Sequence, residues 1–242
     1  MQNPKSNLIV SVENHFPGRV TVKGTSVMPK IKQKFEKYGL MERANECPFK
    51  QFFVAPPMQA SGILLHHLLL RMVKSRNPME LQFYIGDNNL RFGLGEFALI
   101  TGLNFGKDPD EMKLKSMSAS TRLRETYLNN EAMVRSGELE AAFVNCEEKE
   151  DVWKLGLCYL VDGLLMAQES GTKIQMDMLS FVENEEDFFN YPWGRRSYER
   201  TFYSLNKDMN RQRENYINKI KKNKKEKEAQ YTVYGFSIGL QY

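Results

Sequence analysis

The sequence is poor in the side chains that most often carry out catalysis or bind metal ions. Its 242 residues include three cysteines and three histidines: Cys47, Cys146, Cys158, His15, His66 and His67. No Cys-x-x-Cys or His-x-x-x-His spacing occurs, and structural zinc sites normally take ligands from such close pairs. An odd number of widely separated cysteines also argues against a disulfide framework. We therefore expect no metal, no cofactor and no disulfide.

Long apolar runs are also missing. The two longest, 63–70 and 155–166, are interrupted by the histidine pair and by Asp162. Neither provides the roughly 20 apolar residues that a bilayer-spanning helix needs. The first five residues, Met1–Lys5, lack the apolar core of a secretory signal. These absences predict an intracellular protein without a membrane partner.

Excess charge is confined to one tract. The chain carries a net +4, whereas 219–227 contains six lysines and one glutamate, a local +5, which leaves −1 for all other residues. One interpretation is a solvated linker or helix tail. The other is a nuclear-import or phosphate-contacting tract, which would place the protein in the nucleus. The lysines concerned are Lys219, Lys221, Lys222, Lys224, Lys225 and Lys227.

Apolar residues are plentiful enough to build a core. They make up 41% of the chain, with 12% aromatic residues, so global disorder is not expected. The strongest helical pattern covers about 149–168, where Trp153, Leu157 and Leu160 begin a series at three- and four-residue steps. Further helices are predicted to begin near Pro29, Ser61, Ser120 or Thr121, Ser136 and Ser197, and 107–118 is predicted to be a loop.

A β-hairpin is predicted near 80–94. Apolar and polar residues alternate on both sides of the turn-forming run Gly86–Asn89. Glu96 then lies in the first turn of a short helix, and Gly102 is suited to end it. Because this helix is apolar nearly all round, we expect it to be buried. The fold class is therefore mainly α (α+β), a multi-helix single domain with a small antiparallel hairpin.

The remaining segments complete the predicted domain organisation. Weak alternation over 1–28 predicts extended segments or a loose hairpin, and 45–58 is expected to be irregular because it contains three prolines. The predicted divisions are an N-terminal extension over 1–44, a main domain over 45–206, a charged helix tail or linker over 207–230 and a truncated apolar segment over 231–242. We expect the natural protein to continue beyond this apolar segment.

Three features have both a functional and a structural interpretation. The aromatic run 187–194 is either a binding platform or a packed corner. His66 and His67 diverge by about 100° on a helix, which favours a packed or surface pair over a catalytic one. Asp162 would have a raised pKa if buried without a partner, although a paired or solvated position is favoured.

Several stretches together resemble one plant family, the domain of unknown function DUF1985. They are Ser61–Gly62, His67–Arg71, a motif running from Arg91 to Leu103, and Tyr191–Gly194 followed by Ser197–Tyr198. The motif residues, which we interpret as structural, are Arg91, Phe92, Leu94, Glu96, Phe97, Leu99, Thr101, Gly102, Leu103, Tyr191, Pro192, Trp193 and Gly194. The resemblance covers about 45–206 and implies a fold similar to the helical plant mobile domain. It also implies a relation to mobile elements.

The resemblance offers no catalytic residues. Family members often carry a downstream cysteine protease module that looks like the SUMO-specific proteases, but no cysteine here has the sequence surroundings of such a nucleophile. We therefore expect a non-catalytic interaction or scaffolding domain with an unidentified protein partner. The alternative is a nucleic-acid-binding domain that acts through Lys219–Lys227. An enzyme in its own right is a third hypothesis, which we place last because the acidic runs look like solvated helix starts.

Overall fold

The protein is described by a computed structural model that covers residues 8–131, 133–175, 177–222 and 227–241. Its fold is mainly α with a small antiparallel sheet, as predicted. The helices are α1 Val27–Lys37, α2 Met41–Glu46, α3 Lys50–Val54, α4 Gly62–Leu70, α5 Leu94–Thr101, α6 Glu111–Met117, α7 Arg122–Tyr127, α8 Ser136–Asn145, α9 Lys149–Leu160, α10 Met178–Phe181, α11 Glu185–Asn190, α12 Trp193–Leu205 and α13 Met209–Lys222.

The predicted hairpin is confirmed and belongs to a three-stranded sheet. β2 (Met72–Val73), β3 (Leu81–Ile85) and β4 (Asn88–Phe92) pair antiparallel in that order. The turn consists of two residues, Gly86 at φ 55° and Asp87 at φ 63°. Positive φ at both central turn positions matches the right-handed twist of the strands, which explains why a glycine and an aspartate lie there.

Of the two alternatives predicted for 1–28, an extended segment is confirmed, whereas a loose hairpin is not found among the described residues 8–28. β1 (Gly18–Val22) pairs instead with β5 (Ala229–Val233), in parallel and with Gly18 opposite Ala229. This pairing joins the two ends of the described chain. The apolar segment after residue 230 packs inward, since Val233, Phe236 and Ile238 are buried.

The core is organised around α9. Gly156 faces the ring of Phe35 from α1 so closely that a Cβ would lie 2.5 Å from a ring carbon. The Phe35 ring also lies 5.3 Å from the Trp153 ring, centroid to centroid. The helix continues as a π-turn over Val161–Leu165, in which the Met166 N–H donates to the Val161 carbonyl at 2.9 Å. The long helical pattern predicted from 149 is therefore confirmed, with a change of winding near its end.

Two predicted loops contain helices. Within 107–118, the Asp110 side chain accepts from the Lys113 N–H at 2.8 Å and caps α6. Within 45–58, α3 is short and ends before Pro56. Both helices have less than two full turns, so the apolar periodicity that reveals longer helices is too short to detect.

The start of α12 was also predicted wrongly. The helix begins at Trp193, and Ser197, expected to be its cap, lies buried within it. The Ser197 hydroxyl donates to the Leu165 carbonyl at 2.8 Å. Ser197 therefore links α12 to the π-turn that ends at Leu165 and does not begin a helix.

Candidate functional site

The segment that leads into α5 is held by a network around Glu96. The Glu96 carboxylate accepts from the Gly93 N–H at 2.9 Å and from Arg91 Nε at 3.0 Å. Burial opposes ionisation, but hydrogen bonds from backbone N–H groups and the Arg91 guanidinium hold the pKa of Glu96 below its ordinary value. The helix ends at Gly102, whose φ of 60° is left-handed, as predicted.

α5 is buried on one side only, so the expectation of an all-round buried helix is wrong. Phe97 is fully buried and its ring lies 5.5 Å from the ring of Tyr198 on α12. Leu99 is 88% exposed and Leu94 is 41% exposed. Two large apolar side chains of this helix are therefore left uncovered by the rest of the described chain.

An apolar groove of about 390 Å³ lies between α3, α5 and the C-terminal segment. We call it the α3–α5 groove, and it is lined by Gln51, Phe52, Ala55, Pro56, Met58, Ile100 and Phe236. Only one of these seven residues has a polar side chain. The groove is therefore suited to an apolar side chain from a binding partner.

Local contacts hold the walls of this groove together. Gln51 Nε2 donates to the Thr101 carbonyl at 2.7 Å and so ties α3 to the end of α5. The ring of Phe52 lies edge-on to the ring of Phe236, at 5.6 Å between centroids. The sequence interpretation missed this groove because its residues come from three distant stretches. The only sequence signal was the aromatic pair before Pro56–Pro57, which was assigned to an irregular segment.

The aromatic run 187–194 is packed rather than open. Tyr191 and Trp193 are buried, with ring centroids 4.4 Å apart. The Trp193 indole N–H donates to the Phe188 carbonyl at 2.7 Å. A Cβ at Gly194 would lie 2.5 Å from a ring carbon of Phe105, so only glycine fits there. Since the rings face each other and the core, they offer no platform to a ligand.

The other motif residues lie around the start and end of α5. Phe92 and Thr101 are buried, and the Thr101 hydroxyl donates to the Phe97 carbonyl at 2.8 Å. Leu103 is buried after the helix ends, and Pro192 occupies the position before α12 without a capping hydrogen bond from its side chain. The motif thus combines core residues with exposed ones, among them Arg91, Leu94 and Leu99.

The lysine tract begins on α13. Lys219, Lys221 and Lys222 are exposed on its last turn. Lys227 is also exposed, and its carbonyl accepts from the Tyr216 hydroxyl at 3.1 Å. Lys224 and Lys225 lie outside the described residues.

The cysteines are placed as structural residues. All three are buried. Burial raises the pKa of Cys47 to about 11 and that of Cys158 well above its ordinary value. A thiol with a raised pKa has little thiolate at neutral pH and is a weak nucleophile.

His66 and Asp162 are both buried and hydrogen-bonded within the protein. His66 is fully buried and bonds to the Phe16 carbonyl and the Tyr231 hydroxyl, whereas His67 is exposed. Asp162 is buried and accepts from the Ser136 hydroxyl and from Gln168 Nε2. Burial raises the pKa of Asp162, although these two hydrogen bonds oppose the shift.

Over the described part of the chain, no cluster of three or more histidine, cysteine, aspartate or glutamate side chains is arranged to hold a metal ion. None of the helices in those same ranges has the length and apolar composition needed to cross a bilayer.

Comparison with known proteins found one match. A family model described as a domain of unknown function (DUF1985) matches residues 69–204, more than half of the 242 residues. A search of curated proteins and a search of solved structures each found no match. The matched range contains α5 and the aromatic run, while Phe52, Met58 and Phe236 of the α3–α5 groove lie outside it.

Proposed function

The chain belongs to the DUF1985 family, and we propose that it is a non-catalytic interaction domain that binds a protein partner through the α3–α5 groove. The partner chemistry follows from the lining of the groove. A peptide segment that carries an apolar anchor side chain would fill the groove and remove its apolar surface from water.

One observation carries this proposal: exposed apolar residues are the immediate sequence neighbours of residues that line an apolar groove. Leu99 precedes Ile100, which lines the groove, and Val54, 67% exposed, precedes Ala55, which also lines it. Isolated exposed leucines are ordinary on protein surfaces. An exposed leucine and an exposed valine, each next in sequence to a residue that lines a concave apolar surface, favour an interaction site here.

The lack of catalytic character is supported by how the reactive groups are used. The Asp151 carboxylate is engaged by Arg122 Nη1 at 2.9 Å and by the Tyr127 hydroxyl at 2.7 Å. The hydrogen bond from Arg122 is the main reason why the pKa of Asp151 is lowered. This carboxylate is therefore engaged in internal contacts that stabilise its charged form.

The family resemblance extends the proposal to a cellular setting. We propose a plant, mobile-element-derived protein that works in the nucleus, with the domain acting beside a SUMO-type cysteine protease module. In that arrangement the domain would select the partner and the protease module would carry out the chemistry. The support for this setting is the resemblance of the sequence motifs.

Selection from a random peptide display library tests the groove directly. Peptides enriched on the wild-type protein are expected to carry an apolar anchor. Their binding to the double variant Val54→Glu/Leu99→Glu should be at least about tenfold weaker, because two charges would border the apolar surface. Binding is measured by fluorescence anisotropy with labelled peptides.

A matched control separates the groove from general surface changes. Val12 and Val144 are exposed valines on other elements, so Val12→Glu/Val144→Glu introduces the same two charges away from the groove. This variant should bind the selected peptides as the wild type does. If the selected peptides bind all three proteins equally, the groove is not the interaction site.

A second candidate function is nucleic-acid binding, which the charge on α13 favours. The helix carries five basic residues and one glutamate, a net +4 that equals the charge of the whole chain. Among the described residues, none of these five basic side chains forms a salt bridge. Clustered surface cations attract phosphates and steer them to one side of a molecule.

A further inference from the structure

A second groove, of about 370 Å³, lies between α13 and β5. Gln212, Asn215, Lys219 and Lys222 follow one another along α13 at steps of three and four residues, so they share one face of the helix. Gln230 contributes an exposed amide from β5. We call this surface the α13–β5 groove.

Its side chains combine two kinds of donor. Lys219 and Lys222 supply cationic groups, while Asn215, Gln212 and Gln230 supply amides that both donate and accept hydrogen bonds. A site for phosphate alone needs only the cations. The amides add the ability to pair with the edges of nucleic-acid bases.

The neighbouring strand adds a further cation, which is paired with a carboxylate. Arg19 of β1 lies opposite Gln230 in the parallel register, and both side chains are exposed. Arg19 Nε pairs with the Glu228 carboxylate at 3.2 Å. Loss of that carboxylate would free the guanidinium for an anion beside the groove.

Tyr216 is the one aromatic residue among the described residues that line the groove, and it is half-buried. The Tyr216 ring stacks on Phe16 of the body, at 5.9 Å between centroids, and its hydroxyl donates to the Lys227 carbonyl. A ligand would therefore be held by charge and by hydrogen bonds rather than by stacking.

We propose that the α13–β5 groove binds single-stranded nucleic acid, with the lysines on backbone phosphates and the amides on base edges. This inference rests on the second candidate function and specifies its site. A single strand is favoured because its unpaired bases present the edges that asparagine and glutamine recognise. In a duplex the Watson–Crick edges are occupied by base pairing, and only the edges in the grooves remain open to side chains.

The test measures binding of a fluorescein-labelled single-stranded oligonucleotide of mixed sequence by anisotropy over a range of salt concentrations. Lys219→Gln/Lys222→Gln should weaken binding about tenfold or more. It should also reduce the slope of log K against log salt by about 1.4, since each neutralised phosphate on a single strand contributes about 0.7. The control Lys115→Gln/Lys149→Gln removes two exposed lysines from α6 and α9 and should leave both quantities unchanged.

Two further variants separate base recognition from charge. Asn215→Ala/Gln230→Ala should weaken oligonucleotide binding several-fold with an unchanged salt slope, and should leave binding of heparin, a polyanion without bases, unaltered. Glu228→Gln should strengthen oligonucleotide binding, a gain that a misfolded variant would not produce. Equal losses for oligonucleotide and heparin, or no gain with Glu228→Gln, would overturn the proposal.

The outcomes also distinguish a wrong binding site from a wrong function. If the wild type binds the oligonucleotide but both groove variants bind equally well, the site is wrong and nucleic-acid binding stands. If the wild type does not bind, both are wrong. The peptide-binding proposal for the α3–α5 groove is independent of either result.

Discussion

His66 joins parts of the chain that are far apart in sequence. Its Nε2 donates to the Phe16 carbonyl at 2.8 Å, which leaves Nδ1 to accept from the Tyr231 hydroxyl at 2.9 Å. The backbone at Gly18 packs so tightly on the ring that a Cβ would lie 2.5 Å from a ring carbon. A neutral imidazole satisfies both bonds, whereas a protonated one loses its ability to accept from Tyr231.

This geometry predicts a loss of stability in mild acid. Burial is the main cause that lowers the pKa of His66, with His67 and His15 adding to it, while the bond to Phe16 and the charge of Glu228 oppose it. Because the folded pKa lies below the unfolded value of about 6.5, the unfolded chain takes up the proton first. The free energy of unfolding should therefore fall as pH drops below about 6.5, until the folded pKa is passed.

Urea unfolding at pH 7.5 and 5.5 measures this effect. His66→Gln should reduce the difference in stability between the two pH values, and His67→Gln, at an exposed position, should retain it. Equal pH dependence in the wild type and both variants would show that His66 is not the source.

At the scale of elements, one glycine lies inside α5 and another ends it, and their roles are opposite. Gly102 adopts a φ of 60°, whereas Gly95 has helical geometry and no atom lies within 4 Å of the position of its Cβ. Gly102→Ala should destabilise the protein by about 1 kcal/mol because alanine is strained in the left-handed region. Gly95→Ala should stabilise it by up to about 1 kcal/mol, since alanine is the better helix former.

Thermal unfolding of the two variants measures this contrast. The shifts in Tm should have opposite signs. Shifts of the same sign would mean that the assigned end of α5, and with it the position of Leu99, is wrong.

The sequence predicted the elements with strong local signals. The hairpin turn, the Gly102 helix end and the long pattern of α9 depend on neighbouring residues, and all three are confirmed. The exposure of Leu99 could not be predicted from the sequence. An apolar composition indicates which residues prefer burial, but it does not indicate how many sides of a short helix are covered by other elements. Only the packing of α5 against α12 on one side determines that.

At the scale of the whole molecule, long-range pairing escaped prediction. β1 and β5 are separated by most of the chain, and weak alternation in each gives no information about its partner. The α3–α5 groove also depends on this long-range pairing, because β5 leads to Phe236, whose ring contacts the ring of Phe52. The family motif alone therefore did not reveal the candidate site.

The charge distribution separates two surfaces. α13 carries a net charge equal to that of the entire chain, while the α3–α5 groove is lined by one polar residue and six apolar ones. The two proposed binding activities thus depend on different physical forces. High salt should weaken oligonucleotide binding and leave peptide binding in the apolar groove nearly unchanged.

The most direct test of the interaction domain is methyl NMR of methionine-labelled protein during titration with a selected peptide. Met58 lines the α3–α5 groove, whereas Met112 is 83% exposed on α6 and serves as an internal control. We predict that the Met58 methyl resonance shifts on saturation and that the Met112 resonance stays in place. A shift of Met112 without any change at Met58 would contradict the account.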